Sequence, residues 1–331
     1  MYNEESGFDL DRFITLFNSD DNTILTNEIY NFVDQTTEWI KLGSTGAIAY
    51  GRPRIGKTRA INYLMHSLKE KYGDDFPVFI WDGNFVRIGS NPKYFYQCAL
   101  DSVGGYYIRT DTLVVLKKRL INLITALGHQ NNNKFVVIVD EAQHLTYADF
   151  TAMIELYNLV VCNGVYMVTI LVGDLRLKRL KTELSEMGYE QIIGRFMMHE
   201  IILKGVTSAN ILTVILKNLD EHFDSRNENG EGILISRDLF PKAYASGWSL
   251  KDTAEEFWRY FIKICDPKHL GMDQIPMEYL IQALTYIFLH YSALGDSPVD
   301  FITPAIIKEA IRSTDYTYTK PVTETDRRKR K

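Results

Sequence analysis

Cysteine is scarce in this chain: Cys98, Cys162 and Cys265 are the only three among 331 residues, each in a hydrophobic setting and none in a C-x-x-C pair. That excludes a disulfide framework and a zinc ribbon and points to a reducing compartment. No apolar run reaches the ~18–20 residues of a membrane span. The start, MYNEESGFDLDRF, is acidic where a secretory signal would be basic. The expectation is a soluble, cytoplasmic protein with no membrane partner. Positive charge is also in short supply, since 37 Lys and Arg against 42 Asp and Glu leave a net charge of −5. Bulk charge therefore does not drive nucleic-acid binding, and any grip on phosphates must rest on a local patch. No internal repeat is visible.

What remains is ordinary globular material, 46% hydrophobic and 24% charged, with enough length for about two domains. Residues 1–22 read as a polar arm with a short apolar segment. TNEIYNFVDQTTEWIK (26–41) carries Ile29, Phe32, Val33 and Ile40 at helical spacing. Short, continuously apolar segments follow at 46–50, PVFIW (77–81), KFVVIVDE (134–141), VYMVTILVGD (165–174) and HEIILKG (199–205). This is the form of strands covered on both faces. Helical patterns separate them, notably Leu113, Leu116, Leu120, Leu123, Ile124 and Leu127, so the expected fold class is α/β with a five-stranded parallel sheet. Beyond about residue 206 every periodic segment is helical, which predicts an all-helical second domain.

The segment between the first strand and its helix is Gly51-Arg52-Pro53-Arg54-Ile55-Gly56-Lys57-Thr58, a complete G-x-x-x-x-G-K-[ST] loop. Its glycines let the backbone curl so that N–H groups face phosphate oxygens, and the helix start behind it adds a favourable dipole. Lys57 can reach the β- and γ-phosphates, and the Thr58 hydroxyl can ligate Mg²⁺. Arg52 and Arg54 read as solvated loop charges, with a contribution to the nucleotide's positive surroundings as the alternative. FVVIVDEAQHL supplies the second half of such a site, because its apolar strand ends at Asp140 and Glu141 on the edge where open α/β sheets bind ligands. Asp140 is expected to hold Mg²⁺, and Glu141 to orient or deprotonate the attacking water. Asp174, ending the strand of ILVGDLRL, is placed to sense the γ-phosphate. The alternative is a cap on the helix that begins at Leu175.

Together GRPRIGKT, VVIVDEAQHL, ILVGDLRL and IIGRFMMHEIIL resemble the TnsC/TniB-type AAA+ ATPases, regulators of transposition related to the phage Mu B protein and to ExeA-like ATPases. The resemblance covers residues ~45–260 and brings the family's nucleotide, ATP, with Mg²⁺. It implies an N-terminal arm and helix at 1–44, an AAA+ domain at 45–205, a helical lid and C-terminal domain at 206–315, and a basic tail at 316–331. It also implies that ATP lets subunits assemble head to tail, as rings or helical filaments, on double-stranded DNA without regard to sequence. Transposase subunits and a target-selector protein are then the expected partners, and hydrolysis takes the assembly apart. Arg195 matches the family's arginine finger. Lys251 stands where the family has a second sensor arginine, and a lysine there loses the bidentate fork.

By the same resemblance Lys93 and Thr110 match positions that contact DNA, with Arg109, Lys118 and Arg119 nearby. From 87 to 119 six cations (Arg87, Lys93, Arg109, Lys117, Lys118 and Arg119) stand against Asp101 and Asp111, in a chain that is negative overall. The tail TETDRRKRK suits an acidic partner. Three other roles stay open at this level: an ExeA-like secretion or envelope-associated ATPase acting on protein, an essentially structural role in which bound nucleotide holds a filament, and a defence or signalling NTPase.

Overall fold

The computed structural model describes residues 2–3, 8–19, 24–83, 92–222, 233–264, 274–314 and 316. Arg87, Cys265 and the basic run of the tail lie outside them. The chain divides into two compact units, one of residues 27–53 and 57–203, the other of residues 1–26, 54–56 and 204–331.

The first unit opens with helix α2 (Asn27–Leu42) and is built on five strands: β3 (Gly46–Gly51), β4 (Val78–Asp82), β5 (Lys134–Asp140), β6 (Tyr166–Gly173) and β7 (His199–Leu203). Every pairing in this sheet is parallel, in the order β4-β5-β6-β3-β7. All six residues of β3 are buried, as are the five central residues of β5, so the continuous apolar runs in the sequence reflect a sheet covered on both faces. The covering helices are α3 (Lys57–Tyr72), α4 (Pro92–Ser102), α5 (Leu113–Gln130), α6 (Tyr147–Cys162), α7 (Leu175–Glu186) and α8 (Glu190–Phe196). On α5 the stripe Leu116, Leu120 and Ile124 is fully buried. Thr112 caps its start by accepting from the Val115 N–H. Register aligns Tyr50 with Gly173 and Val139 with Leu171, so the ends of β3, β5 and β6 lie near one sheet edge.

The second unit is helical: α1 (Leu10–Asn18), α9 (Ala209–His222), α10 (Ile235–Leu239), α11 (Pro241–Ala245), α12 (Ala254–Ile264), α13 (Met277–Tyr291) and α14 (Pro304–Ser313). Two-residue strands β1 (Tyr2–Asn3) and β2 (Phe8–Asp9) pair antiparallel ahead of α1. Here the reading of residues 1–22 as an arm is corrected. Leu10, Phe13 and Phe17 of α1 are buried in the helical core, and both phenylalanine rings meet Phe288 of α13 edge-on, with centroids 5.9 and 5.4 Å apart. Spacing of three and four residues puts these three side chains on one face, and an unpaired apolar face of that size is covered rather than left in water. Tyr316, expected to open the tail, is also buried, against Phe261 and Tyr279.

Candidate active site

β3 delivers the chain to the phosphate loop at Gly51, and α3 begins at Lys57. Gly56 turns the chain through φ +97°, a conformation that suits a residue without Cβ. The Lys57 ammonium bends back over the loop, donating to the carbonyls of Gly51 (3.4 Å) and Arg52 (3.1 Å). Burial lowers the Lys57 pKa, against the opposing charges of Glu141, Asp174 and Asp140. A largely desolvated ammonium beside three carboxylates, hydrogen-bonded to its own loop, suits an anion that arrives from outside.

Across the sheet edge, the Thr58 hydroxyl donates to Asp140 Oδ2 at 3.4 Å. Asp140 Oδ1 accepts from the Glu141 N–H at 2.8 Å. Burial raises the Asp140 pKa, with the Glu141 charge adding to it and Lys57 and Thr58 working against it. Among the described residues no group of three or more His, Cys, Asp or Glu gathers as a metal site. A hydroxyl and one carboxylate do suit Mg²⁺, which keeps waters and takes phosphate oxygens in place of a full protein cage.

Glu141 has left-handed backbone angles (φ 52°, ψ 32°), which turn the chain out of β5 into a one-turn 3₁₀ helix, Ala142–His144. Its carboxylate accepts from Gln143 Nε2 at 2.5 Å, and His144 Nε2 lies 3.8 Å away. Gln143 was not among the expected site residues. It makes a second bond, its Oε1 accepting from the Asp174 N–H at 3.0 Å. A polar residue two places after an Asp-Glu strand end was the available signal, but only the fold shows that it reaches β6.

The Asp174 side chain is spoken for. It caps α7 through the Arg176 N–H (2.8 Å) and pairs with the Arg176 guanidinium (2.7 Å). Burial works to raise its pKa, yet the Arg176 hydrogen bonds and charge outweigh this and hold it below the usual carboxylate range. The capping alternative thus describes its carboxylate, while its backbone N–H faces Gln143.

The AAA domain family matches residues 43–180, which takes in the phosphate loop, Asp140, Glu141, Gln143 and Asp174. Over this stretch the chain is similar to AAA domains. With this loop and strand end it binds ATP with Mg²⁺ and hydrolyses it, so the chain is an ATPase. In fold, the chain is similar to the Aeropyrum pernix ORC2 protein in its ADPNP–ADP complexes: TM-score 0.58, 14% identity, 90% of this chain and 69% of that one. It is also similar to CDC6P from Pyrobaculum aerophilum: TM-score 0.53, 15% identity, 83% of this chain and 64% of that one. No curated protein matches the sequence. Among the described residues no helix is long and apolar enough to cross a membrane.

Arg195 stands apart from the phosphate-binding edge of its own unit. Its carbonyl lies where a Cβ on Gly46, at the start of β3, would meet it at 2.5 Å, whereas the phosphate loop leaves the other end of that strand. At 3.3 Å per residue the two ends are about 16 Å apart. The guanidinium donates to Asn158 (3.3 Å) and lies over the Tyr157 ring, with its centre 5.8 Å from the centroid.

Arg54 is an exposed loop charge, and it also has partners in the helical unit. Residues 54–56 cluster with the helical unit, and there Arg54, at φ +64°, pairs with Glu278 at 2.8 Å, lies over the Tyr279 ring and accepts from the Glu278 N–H through its carbonyl. Lys251 is exposed on a one-turn 3₁₀ helix of that same unit, Leu250–Thr253.

The expected DNA-contacting residues do gather at the α4–α5 turn, but part of their charge is already matched. Lys93 donates to the Arg109 carbonyl (3.0 Å), Arg119 pairs with Asp111 (2.7 Å), and Lys117 pairs with Glu155 (2.6 Å). Arg109, Thr110 and Lys118 are exposed.

Proposed function

We propose that this ATPase is a DNA-binding regulator of transposition whose subunits assemble head to tail on duplex DNA, each completing the ATP site of the next. The position of Arg195 carries the reading. A cation held at the far end of β3 from its own phosphate loop, on a half-exposed surface beside Tyr157 and Asn158, is poorly placed for its own nucleotide and well placed for a neighbour's. The motif resemblance to TnsC/TniB-type proteins supports the DNA and transposase partners, and the exposed Arg109, Thr110 and Lys118 are suited to phosphate contacts that fix position without reading sequence.

In this scheme Lys57 and the loop N–H groups hold the β- and γ-phosphates, and Thr58 and Asp140 hold Mg²⁺, which supplies charge neutralisation on the phosphoryl oxygens. The Glu141 carboxylate accepts a proton from the attacking water. The neighbour's Arg195 then offsets the charge that develops on the transferred group. Turnover is thereby tied to assembly, which gives hydrolysis a route to taking the assembly apart.

Mixed subunits test this. Arg195→Ala retains a complete site but no finger, and Glu141→Gln retains the finger but no base. Each alone should be slow, and mixing them with duplex DNA should restore turnover above the sum of the two. Native turnover per subunit should rise with protein concentration and with DNA. Absence of rescue, or a rate flat to dilution and indifferent to DNA, would refute the proposal.

A further inference from the structure

The two hydrogen bonds of Gln143 join groups that are otherwise separate. One end of its amide holds the carboxylate of Glu141, and the other holds the first N–H beyond β6, at Asp174. We infer that Gln143 is a positioning residue that sets the Glu141 carboxylate for water activation by tethering it to the end of β6. This rests on Glu141 acting as the base.

The amide has one workable orientation. A flip would turn the NH₂ toward the Asp174 N–H and the carbonyl oxygen toward the Glu141 carboxylate, giving donor against donor and acceptor against acceptor. The room for it is also built into the sequence. A Cβ on Gly173 would stand 2.3 Å from Gln143 Oε1, so the glycine ending β6 is what lets the amide reach the Asp174 N–H. Glu141 itself is fixed on the backbone side, by its left-handed angles and by its N–H on Asp140. Its side chain, however, is partly exposed and would otherwise sample several rotamers. The other titratable groups facing it are His144, 3.8 Å away, and Lys57, Asp140 and Arg176, which feel its charge. Gln143 is the uncharged group that gives it a direction.

Three variants test the tether, each measured in full-length protein with DNA. Gln143→Met keeps the length of the side chain and removes both bonds. It should lower kcat by roughly ten- to a hundredfold, the scale set by ångström misplacement of a reacting group. KM for ATP and the affinity for a non-hydrolysable ATP analogue should stay within about twofold, since the loss falls on the transition state. Gly173→Ala, which leaves Gln143 present but displaces its amide, should lower kcat in the same way. Added to Glu141→Gln, Gln143→Met should have no further effect, because both act through one carboxylate.

Native kcat in Gln143→Met, a raised kcat, or a loss confined to nucleotide affinity overturns the tether, as does additivity with Glu141→Gln. If Glu141→Gln itself turns over at the native rate, Glu141 is not the base and the tether falls with it. Native kcat in Gln143→Met beside a dead Glu141→Gln removes the tether alone.

Discussion

Carboxylates are treated differently in the two units. Asp220 of the helical unit is buried, and both its oxygens are consumed: one accepts from the Ser236 N–H at 2.7 Å, the other from the Ser236 hydroxyl at 2.5 Å. Ser236 Oγ in turn accepts from the Leu250 N–H at 2.8 Å. This ties the starts of two short helical segments together. In the sheet unit, Asp140 and Glu141 stand at a strand end beside a desolvated lysine, with Asp140 made harder to ionise by burial and by its neighbour's charge. A buried carboxylate that ties two segments together fixes structure. One at a strand end, made harder to ionise yet set beside a cation, is ready for a ligand.

The sharpest break of that comparison is Lys57→Ala. It should weaken ATP binding by at least about a hundredfold, the scale of a lost charge-assisted contact. The thermal melt without nucleotide should change little, because this ammonium bonds only the loop's own carbonyls within the fold. A titration with a fluorescent ATP analogue, set against the melt, checks both halves.

Glu141→Gln comes next. It should reduce kcat by roughly two to three orders of magnitude while ATP remains bound, the range expected for a general base. Steady-state rates alongside equilibrium binding separate the two, and weakened binding would mean that Glu141 holds the nucleotide.

Asp220→Ala should reverse the pattern. Removing the carboxylate strands the Ser236 donors in the core and should cost about 2–3 kcal/mol of stability. Denaturant unfolding should register that loss, while ATP affinity measured well below the transition stays native. A neutral result would show that water or a neighbour satisfies Ser236.

The smallest effect is expected at Glu200 on β7. Its carboxyl is held below the usual range by the Tyr50 hydroxyl, which works against burial with the help of Lys181 and Lys178. A depressed carboxylate stabilises the fold above its unfolded pKa of about 4.3, and that contribution fades as pH falls through the lower folded value. Glu200→Gln should therefore lower Tm slightly at neutral pH, and the difference should shrink as the melt is repeated at progressively lower pH below about 4.

The strands and the phosphate loop were legible in the sequence because their signals are contiguous: five apolar runs, and a glycine loop between one of them and a helix. Asp140 and Glu141 were legible because the strand that carries them ends there. Asp174 was visible as a residue, but its use was not, since Arg176 and the helix start compete for its carboxylate. The arm was misread because the partner of Phe13 and Phe17 is Phe288, near the other end of the chain.

By itself, the sequence determined a parallel sheet ending in a phosphate loop and a pair of acids, since hydrophobic period and glycine placement act over a few residues. The tertiary structure alone decided who pairs with whom: Gln143 with Asp174 across two strands, Arg54 with Glu278 at a separation of 224 residues, and Arg195 with the start of β3. Parallel strands need long crossovers, so residues that meet at a sheet edge are far apart in the chain, and packing selects among many partners of like chemistry.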